Sequence, residues 1–298
     1  MNLSKIFKSI INYYPSGSII FSIVNFFRKL DQLFRHEFIY KRKSAKRCVR
    51  EIRKLGIRPV YLDIGSAGGL TRYWKHFSEA NIVDVIGVDI NENWKSNTNQ
   101  INKALGIKNG VSDFYATRHP GCSSFLKPNY EIVKLFDIEK YFDIKEIKKI
   151  EVVRFDYLVE NNLCQIPHFL KLDIQGYEYE CLSGFGKYLN KVLALELEVQ
   201  FVEIYEGQKL FHEIHDFLGE KGFEIRDIET VHWPILDKSK PNGKILYEMN
   251  VFYSRIPSTS QQETLIKFWE HCSGIWVHRS KESLEKQLNR IDSIPMVS

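Results

Sequence analysis

The feature that most constrains this chain is a short apolar run that ends in a cluster of glycines. The run is Val60-Tyr-Leu-Asp-Ile64, and Gly65, Gly68 and Gly69 follow it directly. Glycine lets the backbone turn tightly and approach a ligand closely, and the first amides of a following helix point at that ligand. The pattern therefore predicts a buried strand, a tight turn and a helix, with a binding site at the turn.

Similar apolar runs alternate with helical patterns along the middle of the chain. Helices are predicted over 71–80 and 177–190, and strands over Val60–Ile64, Val85–Ile90, Phe169–Ile174, Val192–Leu197 and Lys244–Ser254. Such runs are typical of strands buried on both faces of a parallel sheet. The alternation of strand and helix predicts an α/β fold with a doubly wound sheet.

Composition narrows the class of protein. Of the 298 residues, 44% are hydrophobic and 27% are charged. These values exclude wholesale disorder, collagen and a polytopic membrane protein, and no segment has the roughly 20 apolar residues that span a bilayer. The five cysteines include no C-x-x-C pair, which favours reduced thiols in a cytoplasmic protein over a disulfide framework or a zinc ribbon.

Basic residues are concentrated at the N-terminus. Residues 1–50 contain eleven Lys and Arg and two acidic residues, a net charge of +9, whereas the other 248 residues carry −4. Apolar stripes among these basic residues predict helices that lie on an anionic membrane surface, at the inner face of the membrane. A helical cap on the sheet and a homo-oligomer contact are the alternatives. Because the body is mildly acidic, no nucleic-acid partner is expected.

Two acidic residues accompany the first two predicted strands. Asp63 precedes Gly65 by two residues, and Asp89 lies 24 residues after Gly65. An acid about 20 residues beyond a glycine turn can accept hydrogen bonds from a ribose diol, whereas Asp63 favours a cationic ligand and would repel a pyrophosphate. An N-cap role for Asp63 and a solvated strand end for Asp89 are the alternatives. We expect a nucleoside with a cationic tail, such as S-adenosylmethionine, bound by Asp63, Gly65, Ser66, Ala67, Gly69 and Asp89.

Beyond this turn, the chain resembles the FkbM family of class I S-adenosylmethionine-dependent methyltransferases. The similar stretches are Arg118–Ser124, Lys127–Asn129, Phe169–Glu178, Glu196–Phe201, Tyr205–Phe211 and Gly243–Tyr253. The resemblance implies a seven-stranded, mostly parallel Rossmann-like sheet with an antiparallel last strand. It also implies that Ala104 and Leu105 flank the adenine, and that the reaction is O-methylation, commonly of sugar or polyketide hydroxyls.

The chain departs from the family pattern at two places. The glycine turn holds Ala67-Gly68 where the family usually has a bulkier polar residue, and the last hairpin reads Glu248-Met-Asn250 where an Asp is common. Both departures bear on the acceptor more than on the cofactor. We expect three regions, namely a basic helical N-terminal extension over 1–56, a methyltransferase domain over 57–256 and a C-terminal helical extension over 257–298.

Methyl transfer to a hydroxyl needs a group that removes the proton, and Asp173 is the first candidate. It ends a predicted strand and precedes Gly176, so it would lie at the carboxyl edge of the sheet, where ligands bind. Asp173 can act as a base or as a ligand to a divalent cation such as Mg²⁺ or Mn²⁺, and capping of the next helix is the alternative. His119 is a second candidate base, with plain loop packing as its alternative.

Other polar residues are ambiguous from sequence alone. Glu178 is predicted to be structural, since the helix dipole favours an acid in the first turn. Glu196 and Glu198 share one strand face, and Glu198 either points at the acceptor or forms a salt bridge. His212 and His215 lie three residues apart on a predicted helix, where an exposed face is favoured over metal binding.

Together these features predict an S-adenosylmethionine-dependent O-methyltransferase that acts on a hydroxyl of a sugar or glycan, such as a surface polysaccharide or a lipid-linked saccharide. An NAD-dependent oxidoreductase is an alternative, although the missing middle glycine of G-x-G-x-x-G counts against it. The other alternative is a non-catalytic, membrane-associated scaffold that keeps only the fold.

Overall fold

A computed structural model describes residues 41–66, 69–70, 72–91, 99–136, 139–234 and 244–275. The helices predicted within residues 1–40 and 276–298, and the turn residue Ala67, lie outside these ranges. The chain divides into two compact units, residues 1–54 and 55–298. The helix predicted for the basic segment is present as α1, Lys41–Leu55. None of the described helices is long and apolar enough to cross a membrane.

The second unit contains two sheets. Its strands are β1 Val60–Ile64, β2 Asp84–Val88, β3 Asn99–Ile101, β4 Ala104–Leu105, β5 Gly110–Thr117, β6 Ile144–Val153, β7 Phe169–Leu172, β8 Ala194–Gln200, β9 Phe223–Pro234 and β10 Lys244–Arg255. The main sheet has the order β3-β2-β1-β7-β8-β10-β9, and β10 runs antiparallel to both of its neighbours. The remaining pairs in this sheet are parallel. The doubly wound, mostly parallel sheet of seven strands is confirmed.

Helices and short turns connect these strands. They are α2 Arg72–Glu79, α3 Tyr130–Val133, α4 Glu139–Phe142, α5 Phe155–Glu160, α6 Glu178–Gly184, α7 Phe211–Glu220 and α8 Ser260–Cys272. The helix predicted over 177–190 is interrupted after Gly184 and continues as a 3₁₀ helix, Gly186–Lys191. Gly186 has a φ of +53°, which an α-helix does not accommodate.

Two predicted strands end earlier than their apolar runs suggest. The second ends at Val88 and the one before α6 ends at Leu172, so that Asp89 and Asp173 lie just beyond the strand ends. The predicted strand Val192–Leu197 instead covers Ala194–Gln200. In each case the strand is present, and its boundaries differ from the predicted ones by one to three residues. Backbone hydrogen bonding, and not hydrophobicity, determines where a strand ends.

A three-stranded sheet of order β4-β6-β5 is inserted between β3 and α5. No sequence pattern indicates it, because β6 reads Ile-Lys-Glu-Ile-Lys-Lys-Ile-Glu over most of its length and is largely exposed. Such a strand lacks the continuous apolar run by which the strands of the main sheet are recognised.

The two faces of the main sheet differ. One face carries the aliphatic core, including Leu62, Leu170 and Leu197, against which α6 and α7 pack. On the other face, Tyr61 stacks on Trp74 of α2 with ring centroids 3.9 Å apart, and Phe268 of α8 lies against the same aromatic cluster. Because strand residues alternate between faces, Asp63, two residues beyond Tyr61, lies on this second face near the carboxyl edge.

Candidate active site

The glycine turn joins the ends of three strands. The amide of Gly65 donates to the carbonyl oxygen of Val88 at 2.9 Å, which ties the end of β1 to the end of β2. Gly65 has a φ of +81°, and a Cβ there would lie 2.9 Å from the carbonyl carbon of Asp173 and closer still to its oxygen. The turn therefore packs against the end of β7 and requires glycine. Gly69 closes the turn by donating its amide to the carbonyl of Ser66 at 2.9 Å.

Two buried polar atoms at this turn have no hydrogen-bond partner among the described residues. They are Oδ1 of Asp63, whose residue is 3% exposed, and Oγ of Ser66, whose residue is 2% exposed. Leaving such a group unsatisfied costs roughly 1–3 kcal/mol, so a bound ligand that supplies partners is favoured. Oxygen acceptors of this kind suit the ammonium group of a nucleoside that carries an amino acid tail. S-adenosylmethionine is such a nucleoside.

Asp89 lies at the same edge, directly after β2. Its amide donates to the carbonyl of Ile101 at 3.3 Å, and its Oδ1 accepts from the amide of Asn91 at 2.8 Å. The contact with Ile101 connects Asp89 to the segment that leads into Ala104 and Leu105, both of which are buried. Asp89 is therefore connected to the stretch of chain that continues into the residues predicted to flank the adenine.

A row of charged residues crosses the sheet behind this edge. Asp63 of β1 is in register with Lys171 of β7, which is in register with Glu196 of β8, and all three lie on the same face. Two residues further along the same strands, Asp173 and Glu198 face the same side. Four carboxyl groups thus surround one lysine.

Burial and neighbouring charges shift the pKa values in this row. Burial raises the pKa of Asp63 to about 6, against the opposing attraction of Lys171, and Asp173 and Asp89 add to the rise. Burial likewise raises the pKa of Glu196 to about 7. For Lys171, burial favours the neutral form, but Asp173, Asp63 and Glu196 outweigh it and raise the lysine pKa.

The next two acids are held still more strongly in the neutral form. Burial, with repulsion from Asp173 and Glu248, raises the pKa of Glu198 to about 9. Glu178, at the start of α6, is 1% exposed, and burial raises its pKa to about 8. Its Oε1 accepts from the amide of Ile174 at 2.9 Å, so its contact is with the loop rather than with an acceptor.

Asp173 is the accessible acid of the group, with 34% of its side chain exposed. Its Oδ2 lies 3.4 Å from Nζ of Lys171, and its Oδ1 accepts from Nε2 of Gln175 at 3.1 Å. Helix α6 begins at Glu178 with Tyr177 as its N-cap, so Asp173 does not cap that helix. It is left as a solvent-accessible carboxylate at the glycine turn.

Gln175 is a site residue that no sequence pattern indicated. Its Nε2 also donates to Oε1 of Glu198 at 3.2 Å, so one amide bridges both carboxyl groups. The hydroxyl of Tyr205 lies 3.1 Å from Oε1 of Gln175 and 3.1 Å from the carbonyl oxygen of Cys122, and these two acceptors share its one proton. Gln175 has a φ of +57°, a conformation that needs such support.

His119 lies apart from Asp173 in the described structure. Its exposed ring packs edge-on against Tyr141 at 5.8 Å, and its Nδ1 is 3.9 Å from Sγ of Cys122. The connection to Asp173 runs through the carbonyl of Cys122, then Tyr205, then Gln175. The structure places Asp173 beside the glycine turn and links the loop of His119 to it through these intermediate residues.

The histidines of α7 have a packing role in part. The His215 ring stacks on Phe211 with centroids 5.5 Å apart, while His212 is exposed. Within the described ranges, no group of three or more His, Cys, Asp or Glu residues is arranged to hold a metal ion. The predicted divalent cation therefore has no candidate ligand set in that part of the chain.

Solved structures with a similar arrangement are distant from this chain in sequence. A protein described for conversion of a disulfide bond into a thioacetal group during echinomycin biosynthesis matches with 12% identity and a TM-score of 0.30, covering 75% of this chain and 87% of that chain. Precorrin-6y C5,15-methyltransferase from Geobacter metallireducens matches with 10% identity and a TM-score of 0.27, covering 70% and 87%. Similarity this low identifies neither substrate nor reaction.

The sequence was also compared with curated proteins and with family models. No curated protein matches the chain. A family model described as the methyltransferase FkbM domain matches residues 63–225, more than half of the sequence. The matched range begins at Asp63 and includes Asp89, Asp173 and the row of charged residues.

Proposed function

The chain belongs to the FkbM family of methyltransferases, and from that premise we propose that it transfers a methyl group from S-adenosylmethionine to a hydroxyl of a sugar or glycan. Family membership makes it an S-adenosylmethionine-dependent methyltransferase and leaves the oxidoreductase and scaffold alternatives without support. The observation that best supports a hydroxyl as the acceptor is the accessible carboxylate of Asp173. The backbone of Asp173 packs against Gly65, so this carboxylate lies beside the glycine turn.

The donor side of the site is formed by the turn and the two strand ends beside it. When bound, S-adenosylmethionine supplies a methyl group on a positively charged sulfur. Asp63 and Ser66 offer the unpartnered oxygens for its amino acid tail, and Asp89 offers a carboxylate for its ribose. Ala104 and Leu105 are the apolar residues that the resemblance to the family places beside the adenine.

On the acceptor side, Asp173 accepts the hydroxyl proton as the methyl group is transferred. Lys171 and Gln175 each contact one of its oxygens, which fixes the carboxylate without occupying all of its lone pairs. A positioned general base accelerates a reaction by roughly 10²–10⁴-fold, and the alignment of hydroxyl and methyl group adds more.

A sugar or glycan is supported by the chemistry beside Asp173. The neighbouring side chains of Lys171, Gln175 and Glu198 are an ammonium, an amide and a carboxyl group, which hydrogen-bond to hydroxyls in several orientations. The resemblance to the family, in which sugar hydroxyls are common acceptors, points the same way.

The acceptor class is tested with the full-length protein and S-adenosylmethionine carrying a trideuterated methyl group. Free monosaccharides, nucleotide sugars, lipid-linked saccharides and polyketide alcohols are each incubated with it, and the products are analysed by mass spectrometry and NMR. We expect the label on an ether oxygen of a saccharide. Label only on the polyketide alcohols, or on nitrogen or carbon, would contradict the proposal.

The role of Asp173 gives a separate prediction. We expect Asp173→Asn to lower the rate of methyl transfer at saturating S-adenosylmethionine by roughly 10²–10⁴-fold, because the amide cannot accept the proton. The matched control is Asp227→Asn, an exposed aspartate on β9. A rate of Asp173→Asn close to that of the control would remove Asp173 as the base.

A further inference from the structure

We propose that the row formed by Asp63, Lys171 and Glu196 discriminates between methyl donor and product by charge, so that cationic S-adenosylmethionine binds more tightly than neutral S-adenosylhomocysteine. This inference rests on binding of S-adenosylmethionine at the glycine turn. It assigns a role in specificity to Lys171 and Glu196, which the function proposed above does not require.

The geometry of the row places one ammonium between two carboxyl groups. Strand register sets Lys171 beside Asp63 on one side and beside Glu196 on the other. Adjacent strands are about 4.8 Å apart, so the two acids stand roughly 10 Å apart with the lysine between them. The lysine charge is shared with a third acid, because Oδ2 of Asp173 lies 3.4 Å from Nζ of Lys171.

The protein itself leaves this negative charge incompletely balanced. Asp63 is 3% exposed, and its Oδ1 accepts no hydrogen bond from any described residue. An unpartnered, buried carboxylate oxygen beside the glycine turn is a position where a positive charge on the ligand would be stabilised. The ammonium of the amino acid tail is common to the donor and the product, so the two ligands differ in the second positive charge that the sulfonium adds in the donor.

The other titratable groups that face the row add no positive charge. They come from the strands and the helix packed on this side, namely Tyr61 of β1, Asp89 after β2, Asp173 after β7, Glu198 of β8, Glu229 of β9 and Cys272 of α8. Among these described neighbours Lys171 is the one cation. A bound cation is therefore the natural counterion for the row.

Binding of the donor should also displace a proton. With pKa values of about 6 for Asp63 and about 7 for Glu196, the row is partly protonated near neutral pH. A nearby positive charge favours the carboxylate, so the carboxylic O–H bond breaks and a buffer base takes the proton. The product shares the ammonium but lacks the sulfonium, so it displaces less of this proton.

The test is calorimetric titration of the full-length protein at pH 7 in phosphate and in Tris, two buffers of different ionisation enthalpy. The ligands are S-adenosylmethionine, S-adenosylhomocysteine and sinefungin, which carries an amine in place of the methylsulfonium. We expect the two ligands with the additional positive charge to release roughly half a proton and S-adenosylhomocysteine clearly less. We also expect S-adenosylmethionine to bind roughly tenfold more tightly than S-adenosylhomocysteine.

Two substitutions should move these quantities in opposite directions. Glu196→Gln removes one acid from the row, so less negative charge is left for the ligand to balance, and both proton release and the preference for the donor should fall severalfold. Lys171→Met removes the internal counterion, so proton release on donor binding should rise. The matched control is Glu270→Gln on α8, a partly buried acid whose pKa is also raised by burial but whose charged neighbours are Arg226 and Lys267. It should behave like the unsubstituted protein.

The outcomes separate this inference from the proposed function. Equal affinity and equal proton release for the donor and the product would overturn the inference while leaving the donor site in place. The inference is also overturned if Glu196→Gln binds the donor with unchanged proton release. If neither nucleoside binds the unsubstituted protein, the proposed function fails at its cofactor. Should a variant not fold, the comparison of the three ligands on the unsubstituted protein decides alone.

Discussion

At the scale of single residues, Gly65 meets two requirements at once. Its backbone is left-handed, and the space where a Cβ would lie is taken by the backbone of Asp173. Some other glycines meet only the first requirement. Gly207 has a φ of +76°, but nothing lies within 4 Å of the position of its missing Cβ. Comparing substitutions at Gly65 and Gly207 therefore separates the cost of backbone strain from the cost of steric overlap.

We expect Gly207→Ala to lower the free energy of unfolding by about 1–2 kcal/mol, the cost of a left-handed alanine. Gly65→Ala should lose this amount and roughly a further 1–3 kcal/mol because the end of β7 must move. Urea denaturation measures both losses, and calorimetry measures S-adenosylmethionine binding, which Gly65→Ala should weaken. Equal losses in the two variants would show that the end of β7 moves to accommodate the Cβ at no measurable cost in stability.

Glu178 gives a prediction with a definite pH dependence. In the folded protein burial raises its pKa to about 8 from an ordinary value of 4.5, so folding holds its proton between these limits. The unfolded chain binds fewer protons over that range, and stability therefore falls as the pH rises from about 4.5 to about 8. The neutral amide in Glu178→Gln can still accept from the Ile174 amide, but it does not titrate.

We expect Glu178→Gln to match the unsubstituted protein near pH 5 and to exceed it by a few kcal/mol near pH 8.5. The measurement is urea denaturation at intervals across this range. Glu263→Gln is the control, since Glu263 is exposed and Lys267 lowers its pKa. If Glu178→Gln is less stable than the unsubstituted protein at pH 8.5, the charged form of Glu178 contributes to the fold.

At the scale of secondary-structure elements, helix α8 packs against one face of the main sheet. Its Phe268 is 1% exposed and contacts the rings of Phe77 at 5.2 Å, Trp74 at 6.1 Å and Phe169 at 6.3 Å. These contacts join α8, which lies in the predicted C-terminal helical extension over 257–298, to α2 and to β7.

We expect Phe268→Ala to lower the stability of the whole sheet by about 3–5 kcal/mol, as for other buried phenylalanines. The neighbouring Lys267→Ala is the control, because its exposed pair with Glu263 contributes little. Unfolding is followed by tryptophan fluorescence and circular dichroism. An unchanged main transition in Phe268→Ala would support a C-terminal extension that folds apart from the sheet.

The elements that sequence predicts well are those whose burial is uniform. All five residues of β1 are buried, and a glycine turn ends the strand, so apolar pattern and boundary agree. In β5 and β6 the outer positions are exposed, with Val111 at 66% and Ile147 at 55%, and no apolar run marks them. A strand that leaves much of its surface in solvent carries too weak a hydrophobic signal to be recognised alone.

In the candidate site, too, some contacts could be predicted from the sequence and others could not. That Asp63 and Asp173 meet follows from topology, because the carboxyl ends of adjacent parallel strands share one edge. The pairing of Lys171 with Glu196 depends on the register between two strands, which no local pattern specifies. A charged residue inside the apolar run Phe169-Leu-Lys-Leu172 was nonetheless a usable signal. Gln175 lies within the family-like stretch Phe169–Glu178, but its bridging role could not be predicted, since it depends on Tyr205, distant in the sequence.

At the scale of the whole molecule, charge is divided between two parts of the sequence. Residues 1–50 carry +9 and the remainder −4, so the segment and the methyltransferase body have opposite signs. In α1 the basic side chains of Lys46, Arg47 and Arg50 are all exposed. We propose that this segment contacts an anionic surface, which would bring the site to a lipid-linked saccharide.

This contact is tested by sedimentation with vesicles of phosphatidylcholine, with and without one part in about three of phosphatidylserine. We expect binding only to the anionic vesicles, falling steeply with added salt. Each basic residue near such a surface contributes about 1 kcal/mol, so replacing Lys46, Arg47 and Arg50 together by serine should weaken binding by roughly 100-fold. The matched control replaces Lys145, Lys148 and Lys149 on exposed β6. Equal losses in the two triple variants would mean that overall charge, and not this segment, holds the protein to the surface.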